Sequence, residues 1–194
     1  MKKNNRFGLV EVYTGNGKGK TTAALGVAFR AAGHGLNVRI IQFLKGAGYS
    51  GEVDAAKKFR NIELSQFGQE CPWAKEMKKG EIKCGSCRYC FSVHADDKRR
   101  CEAGFEAAKE ALASGQYDLV LLDELNVAMA GKLISVKEVL AALEDRDPKT
   151  EVILTGRGAP QAIIDVADLV TEMREVKHPM SKAKGFIGRL GIDY

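Results

Sequence analysis

The chain has 194 residues, of which 45% are hydrophobic and 28% charged, and its net charge is +5. These values are typical of a globular protein that buries about 70% of the surface exposed by its unfolded chain. No apolar run reaches the roughly 18 residues of a membrane span, so we expect no membrane partner. The positive charge favours anionic ligands but is too small and too dispersed to indicate nucleic-acid binding.

The first segment, "MKKNNRFGLVEVYTG", is basic and then apolar, which raises the question of a signal peptide. Glu11 interrupts the apolar run shortly after Gly8. The segment therefore predicts a strand and a cytoplasmic protein rather than a secreted one.

Apolar strands alternate with helices along the first third of the chain. "GLVEVYT" predicts a strand, and "TTAALGVAFRAAGHG" predicts the helix that it feeds, ending at Gly33-His34-Gly35. "NVRIIQFL" predicts a buried strand, "KGAGYSGE" a loop and "NIELSQF" a third strand. An irregular stretch is expected from Gly68 to about Ala95.

The remaining elements continue the alternation. "DDKRRCEAGFEAAKEALASG" predicts a long helix, "YDLVLLDEL" a central strand and "TEVILTGRG" another strand that ends in a glycine turn. "SVKEVLAALED" predicts a helix that opens with Ser135 and Glu138 in the spacing of a capping box. The order predicts an α/β fold whose mostly parallel sheet is covered by helices on both faces. We expect one domain over residues 1–194, with a cysteine-rich insertion at about 70–95.

The stretch "YTGNGKGKTTAALG" resembles a phosphate-binding loop. Gly19-Lys20-Thr21 fits the end of the P-loop pattern, although Thr14 stands where the first glycine is expected and Gly15 follows one place later. A strand before the loop and a helix after it are the context that the mechanism needs. Lys20 would neutralise a terminal phosphate and Thr21 would offer its hydroxyl to Mg²⁺. A glycine-rich turn that merely caps a helix is the plainer alternative.

A second element supports nucleotide binding. "LVLLDE" ends a central strand in Asp123 and Glu124, where P-loop proteins place the carboxylates that hold Mg²⁺. Arg157 in "TGRG" ends another strand and is predicted to contact a phosphate or the ribose, the alternative being a surface ion pair. Gln42 and Lys45, at the end of the neighbouring strand, are weaker candidates. These residues by themselves indicate an enzyme acting on a magnesium nucleotide, or an ATP-driven switch.

All five cysteines fall between residues 71 and 101, which in a cytosolic protein indicates a metal before disulfides. Cys84, Cys87 and Cys90 are spaced as in the iron–sulfur run of bacterial ferredoxins. The fourth ligand is Cys71 or Cys101, and Cys71 is preferred because Cys101 lies on the apolar stripe of its helix. A [4Fe–4S] cluster is expected, with structural Zn²⁺ or free thiols as alternatives.

Five stretches together resemble the P-loop ATP:corrinoid adenosyltransferase family. They are "TGNGKGKTTAALGVAFRAAGHG", "IIQFLKG" followed by Glu52, "LVLLDELN", "LTGRG" and "VKHP…GIDY", and they cover most of the chain outside residues 70–100. The resemblance implies a P-loop NTPase fold of the RecA-like type. It also implies transfer of the 5′-deoxyadenosyl group from ATP to the cobalt of a cob(I) corrinoid, with triphosphate as the leaving group. A P-loop ATPase switch with a cysteine-rich metal-binding interaction module is the alternative.

The resemblance also implies roles for individual residues and partners. Lys20, Asp123, Glu124 and Arg157 would serve the reaction, and Trp73 would lie under the corrinoid, with Cys71 replacing a phenylalanine of the relatives. Without the resemblance, an ordinary core anchor is the alternative for Trp73. A low-potential electron donor of the flavodoxin or ferredoxin kind and a second copy of the chain are the expected partners, and the cluster would help to reduce cobalt. The triphosphate would be held by Gly15, Asn16, Gly17, Lys18, Gly19, Lys20, Thr21 and Thr22. For Lys18 the alternative is a solvated loop lysine.

Overall fold

Six parallel strands form one sheet at the centre of the protein. The computed structural model describes residues 8–46, 50–82, 94–178 and 189–193. The strand order is β3-β2-β4-β5-β1-β6, and every neighbouring pair is parallel. β5 lies between β1 and β4, which is the RecA-like arrangement of P-loop NTPases. The strands are β1 (Val10–Thr14), β2 (Val38–Phe43), β3 (Ile62–Phe67), β4 (Leu119–Asp123), β5 (Glu151–Thr155) and β6 (Leu169–Glu172).

Helices cover both faces of this sheet, as predicted. One face packs against α1 through Ala24, Leu25 and Ala28, and the other packs against α4 through Cys101 and Phe105. Because both faces are buried, β4 carries a nearly continuous apolar run, and all six residues of β2 are buried, including the polar Arg39 and Gln42. The helices are α1 (Lys20–Gly33), α2 (Gly51–Ala56), α3 (Ala74–Lys78), α4 (Asp97–Ala113), α5 (Leu125–Ala130), α6 (Val136–Glu144) and α7 (Gln161–Val166).

Several elements differ from the sequence prediction. The expected loop "KGAGYSGE" contains the start of α2, and the expected irregular stretch contains α3. The helices α5 and α7 and the strand β6 were not predicted. All of these elements have six residues or fewer, so their side-chain periodicity is too brief to be recognised. β6 is also an edge strand with all its residues exposed, which removes the buried apolar run that marks the central strands.

The predicted capping box of α6 is wrong in its chemistry. Ser135 is at the N-cap with an extended backbone, but its side chain makes no capping hydrogen bond. Ser135 is exposed, so water can satisfy the free N–H groups of the first turn. Burial of Val139 and Leu143 anchors the helix instead.

Candidate nucleotide-binding site

The predicted functional residues meet at the carboxyl ends of the strands. In a parallel sheet all strands end at the same edge, and that edge is where open α/β sheets bind ligands. The glycine loop follows β1, Lys45 follows β2, Asp123 ends β4 and Arg157 follows β5. The fold therefore brings together four segments that are far apart in the sequence.

The glycine loop has the backbone that the sequence predicts for a phosphate cradle. Gly15 and Gly19 have φ angles of 92° and 108°, a left-handed region that disfavours residues with a Cβ atom. Gly19 is the N-cap of α1, so the N-terminus of a 14-residue helix faces the loop. Free N–H groups and the helix dipole at this point favour an anion.

The glycines also allow another part of the chain to pass close to the loop. The Gly17 N–H donates to the carbonyl oxygen of Met173 at 2.6 Å, and the Met173 N–H donates to that of Thr14 at 2.8 Å. A Cβ atom on Gly15 would lie 2.5 Å from the Met173 oxygen, and one on Gly17 would lie 2.8 Å from the carbonyl carbon of Arg174. The segment after β6, at Met173 and Arg174, therefore packs against the loop and fixes its shape. The sequence did not reveal this contact.

Lys20 lies inside the loop. It is only 7% exposed, and its ammonium donates to the carbonyl oxygens of Gly15 at 2.8 Å and Gly17 at 2.7 Å. Burial lowers the pKa of Lys20, and the nearby Arg157 guanidinium lowers it further, while Glu124 opposes both effects. Lys20 and Arg157 repel one another beside the N–H groups of the loop. A ligand with several negative charges would relieve this repulsion.

The other polar residues of the loop point outward. Asn16, Lys18 and Thr22 are exposed. The Lys18 ammonium forms an ion pair with Asp193, which Arg189 also binds at 3.0 Å. The segment that carries "GID" of the C-terminal motif therefore contacts the loop through Lys18.

Asp123 is completely buried, and both of its oxygens are fully engaged. Oδ1 accepts hydrogen bonds from the hydroxyls of Thr21 at 2.8 Å and Thr155 at 2.7 Å. Oδ2 accepts from Gln42 Nε2 at 3.0 Å and from Lys45 Nζ at 2.7 Å. Burial alone would raise the pKa of Asp123, but Lys45 and these hydrogen bonds hold it below its usual value. Asp123 is an ionised carboxylate whose lone-pair sites are all in use.

Glu124 has the opposite character. It adopts a left-handed φ of 63° at the start of α5, and its N–H donates to Thr155 Oγ1 at 3.0 Å. No residue in the described ranges hydrogen-bonds to its carboxylate. Burial and the neighbouring Asp123 raise the pKa of Glu124, although Lys45, Lys20 and Arg157 pull in the other direction. Glu124 is therefore the carboxylate with free oxygens.

Two residues of this cluster were missed or underrated by sequence reasoning. Thr155 contacts both residues, since its hydroxyl donates to the Asp123 carboxylate and accepts from the backbone N–H of Glu124. Gln42 is fully buried and links Asp123 to Gln66, whose Nε2 lies 2.9 Å from Gln42 Oε1. The available signal was a polar side chain at the end of an otherwise apolar strand, in "IIQF" and "VILT".

The remaining predicted residues lie around this cluster or outside the described part of the chain. Arg157 is exposed beside the loop. Trp73 is 41% exposed at the start of α3, so it is not a core anchor. Cys71 is half-buried, and Cys101 is fully buried in the core. Cys84, Cys87 and Cys90 lie outside the described residues, and in the ranges that are described no cluster of potential metal ligands occurs.

Replacing Glu124 by glutamine is expected to raise the melting temperature of the free protein at pH 7 by about 2 °C. The pKa of Glu124 is raised by folding, so its contribution to stability is present below its ordinary value of 4.5 and is lost as the pH rises through the folded value. Glutamine mimics the protonated form and removes this loss. Calorimetry should show that the difference in melting temperature between Glu124→Gln and the wild type disappears below about pH 4. Glu138→Gln on the exposed start of α6 is the control, and an equal rise there would contradict the explanation.

The fold and this edge of the sheet define a P-loop protein of the NTPase class. Residues 6–194 match the family described as ATP:corrinoid adenosyltransferase BtuR/CobO/CobP. The corrinoid adenosyltransferase of Escherichia coli K12 is 36% identical over 187 residues, which cover 96% of this chain and 86% of that protein. The corrinoid adenosyltransferase CobA of Salmonella typhimurium is 37% identical with the same coverage, and that of Pseudomonas aeruginosa is 33% identical over 188 residues, 96% of this chain and 84% of that protein. The chain belongs to the ATP:corrinoid adenosyltransferase family.

The structure also bears on membrane association. Among the helices of the described ranges, none has both the length and the apolar character needed to cross a bilayer.

Proposed function

We propose that this protein transfers the 5′-deoxyadenosyl group of ATP to the cobalt of a cob(I) corrinoid. The observation that carries the proposal is the family match over residues 6–194 together with a glycine loop into which the buried Lys20 ammonium projects, donating to the carbonyl oxygens of Gly15 and Gly17. Cobalt donates its electron pair to C5′ of the ribose, and the bond from C5′ to oxygen breaks with its electrons going to triphosphate. No proton has to be removed from the nucleophile.

The residues at the sheet edge suit a reaction that needs charge stabilisation more than acid–base chemistry. Lys20 and Arg157 would bring positive charge to the position where the leaving group becomes more negative. Asp123 is fully hydrogen-bonded, so it has no free site from which to accept a substrate proton. Alignment of the two substrates would supply much of the rate, roughly 7–11 kcal/mol in favourable cases.

Mg²⁺ fits the donor set at this site, because a threonine hydroxyl and carboxylates are the oxygen ligands that it prefers. We infer that Thr21 and Glu124 bind it directly. Thr21 donates its proton to Asp123, which leaves its oxygen lone pairs for the metal, and Glu124 has free oxygens. Asp123 then acts mainly by orienting Thr21. When bound, the metal would neutralise phosphate charge in the ground state and in the leaving group.

Product identification tests the proposed reaction. The protein is incubated anaerobically with ATP, Mg²⁺ and chemically reduced cobalamin, and the products are separated in the dark. We expect equal amounts of triphosphate and a corrinoid with a photolabile cobalt–carbon bond. Release of ADP and phosphate without a new cobalt–carbon bond would instead indicate an ATPase.

The iron–sulfur cluster remains a proposal, with Cys84, Cys87, Cys90 and Cys71 as the ligands. The described residues support the choice of Cys71, which is half-buried two positions before the exposed Trp73. Cys101 is a poor ligand because burial and the nearby Asp97 raise the pKa of its thiol to about 11, and ligation needs the thiolate. A cluster on this segment would place a redox centre close to the aromatic face proposed for the corrinoid.

Anaerobic purification of matched cysteine variants checks this assignment. We expect the wild type and Cys101→Ala to be brown and to contain about four iron atoms per chain, because a [4Fe–4S] cluster needs four thiolates. Cys71→Ala should lose most of the iron and the visible absorption. A colourless wild-type protein loaded with zinc would overturn the proposal.

Three finer features are also proposed. A cytoplasmic location suits the proposed cluster, because clustered cysteines in a reducing compartment bind metals more often than they form disulfides. A low-potential electron donor would supply the electron that produces cob(I). A homodimer is supported by apolar side chains that are 41–50% exposed along the β6 edge, namely Val166, Leu169 and Val170.

A further inference from the structure

Lys45 lies at the position that a metal ion bound to Thr21 would use. Its Nζ atom is 2.7 Å from Asp123 Oδ2 and 3.4 Å from Thr21 Oγ1. The Thr21 hydroxyl donates its proton to Asp123 Oδ1, so the lone pairs of its oxygen are what remains for a cation. The ammonium is the cation that faces them.

The two cations cannot occupy this position together. Mg²⁺ binds oxygen at about 2.0–2.1 Å, so a Mg²⁺ on Thr21 Oγ1 would lie within about 5.5 Å of the present Nζ position. Like charges at that separation beside a wholly buried carboxylate repel strongly, because the local dielectric constant is low. The carboxylates of Glu52 and Glu124 attract the ammonium and would attract a doubly charged metal ion more strongly.

We propose that Lys45 is an internal counter-ion of the metal position and that Mg²⁺, arriving with the nucleotide, displaces it. Without the metal, the ammonium neutralises the buried Asp123. Displacement exchanges one positive charge for two and frees a lone-pair site on Asp123 Oδ2. Lys45 has a long flexible side chain that is 30% exposed, so its head can leave without unfolding the strand. This proposal rests on the proposed function only in taking the metal to be that of a magnesium nucleotide.

The exchange makes metal binding depend on the charge of residue 45. Mn²⁺ alone, without nucleotide, is titrated into the protein and free Mn²⁺ is followed by electron paramagnetic resonance. We expect Lys45→Met to bind one Mn²⁺ with a dissociation constant at least tenfold lower than that of the wild type. Lys45→Arg keeps the competing charge and should stay within about threefold of the wild type. Equal binding in all three proteins, or an equal gain in Lys45→Arg, would overturn the proposal.

A double variant locates the gained site. Lys45→Met combined with Asp123→Asn removes the carboxylate that the ammonium had neutralised, and it should return Mn²⁺ binding to the wild-type value. A gain that survives in the double variant would show that the metal binds elsewhere and would overturn the exchange.

A measurement on the wild type keeps the proposal testable if Lys45→Met does not fold. The Nζ resonance of ¹⁵N-labelled Lys45 is recorded with a non-reactive ATP analogue, before and after Mg²⁺ is added. We expect the resonance to shift or to disappear only on addition of Mg²⁺, because the bond to Asp123 is lost. An unchanged resonance at saturating Mg²⁺ would overturn the exchange.

The adenosyl-transfer assay separates this proposal from the proposed function. A wild type that transfers the adenosyl group but shows no effect of Lys45 on Mn²⁺ binding would overturn the exchange alone. A protein that shows the exchange but forms no cobalt–carbon bond would overturn the proposed reaction alone.

Discussion

Lys20→Ala is expected to lower the rate of adenosyl transfer by about 10²–10³-fold, the loss typical of removing one preorganised charge-stabilising group. The Lys20 ammonium is buried inside the loop and bound to the carbonyl oxygens of Gly15 and Gly17, so alanine removes the positive charge that lies within the loop. The rate is measured as formation of the photolabile corrinoid from ATP and chemically reduced cobalamin.

Lys18→Ala is the matched control, because it removes the same charge from the same loop. The Lys18 side chain is 50% exposed and its partner is Asp193. A surface pair of this kind is worth up to about 1 kcal/mol, which corresponds to less than about a fivefold effect. Equal losses in the two variants would contradict the specific role of Lys20. An undiminished rate in Lys20→Ala would contradict the site itself.

Asp123→Asn is expected to destabilise the protein by about 3 kcal/mol, at the lower end of the cost of breaking a buried ion pair. Asparagine keeps the shape of the side chain but leaves the Lys45 ammonium unpaired, and its amide cannot accept all of the present hydrogen bonds. We expect a cost at the lower end of that range because the Lys45 side chain is 30% exposed, so water can solvate the unpaired ammonium. The free energy of unfolding at pH 7 is measured by urea denaturation.

Asp54→Asn is the control for this second prediction. Asp54 pairs with Lys57 at 2.9 Å, but both side chains are more than 60% exposed, so the cost should stay below about 0.5 kcal/mol. The pH dependence gives a further check. The pKa of Asp123 is lowered by folding, so its contribution is present above about pH 3.9 and is lost as the pH falls through the folded value. If the difference in the free energy of unfolding between the wild type and Asp123→Asn became larger at acidic pH, this account would be contradicted.

The central strands and the long helices were predictable because burial on both faces leaves a simple signal. β4 is apolar along almost its whole length, β2 is mostly apolar, and α4 repeats its buried residues with helical spacing from Cys101 to Leu112. β6 and α7 had no such signal, since Leu169, Val170 and Val166 remain exposed. Where tertiary packing does not bury a segment, its pattern carries little information.

The phosphate loop was recognised for the correct reason but only in part. Gly15 and Gly19 have the positive φ angles that a cradle needs, as the sequence predicts. Gly15 and Gly17 also accommodate Met173 and Arg174, whose approach no local pattern could reveal because those residues lie more than 150 positions away. The contact of Lys18 with Asp193 could not be predicted for the same reason, since these residues are also more than 150 positions apart.

The amino-acid sequence by itself determined the alternation of strands and helices, the glycine–lysine loop and the presence of Asp123 and Glu124 at a strand end. Those features depend on residues that are close together in the chain, so their spacing and chemistry can be recognised from the sequence alone. Only the tertiary structure decided that four hydrogen bonds occupy Asp123, that no described residue hydrogen-bonds to the Glu124 carboxylate, and that Thr155, Gln42 and Lys45 complete the cluster. The roles of two adjacent carboxylates differ because separate strands bring different donors to each, and strand order is a property of the folded sheet.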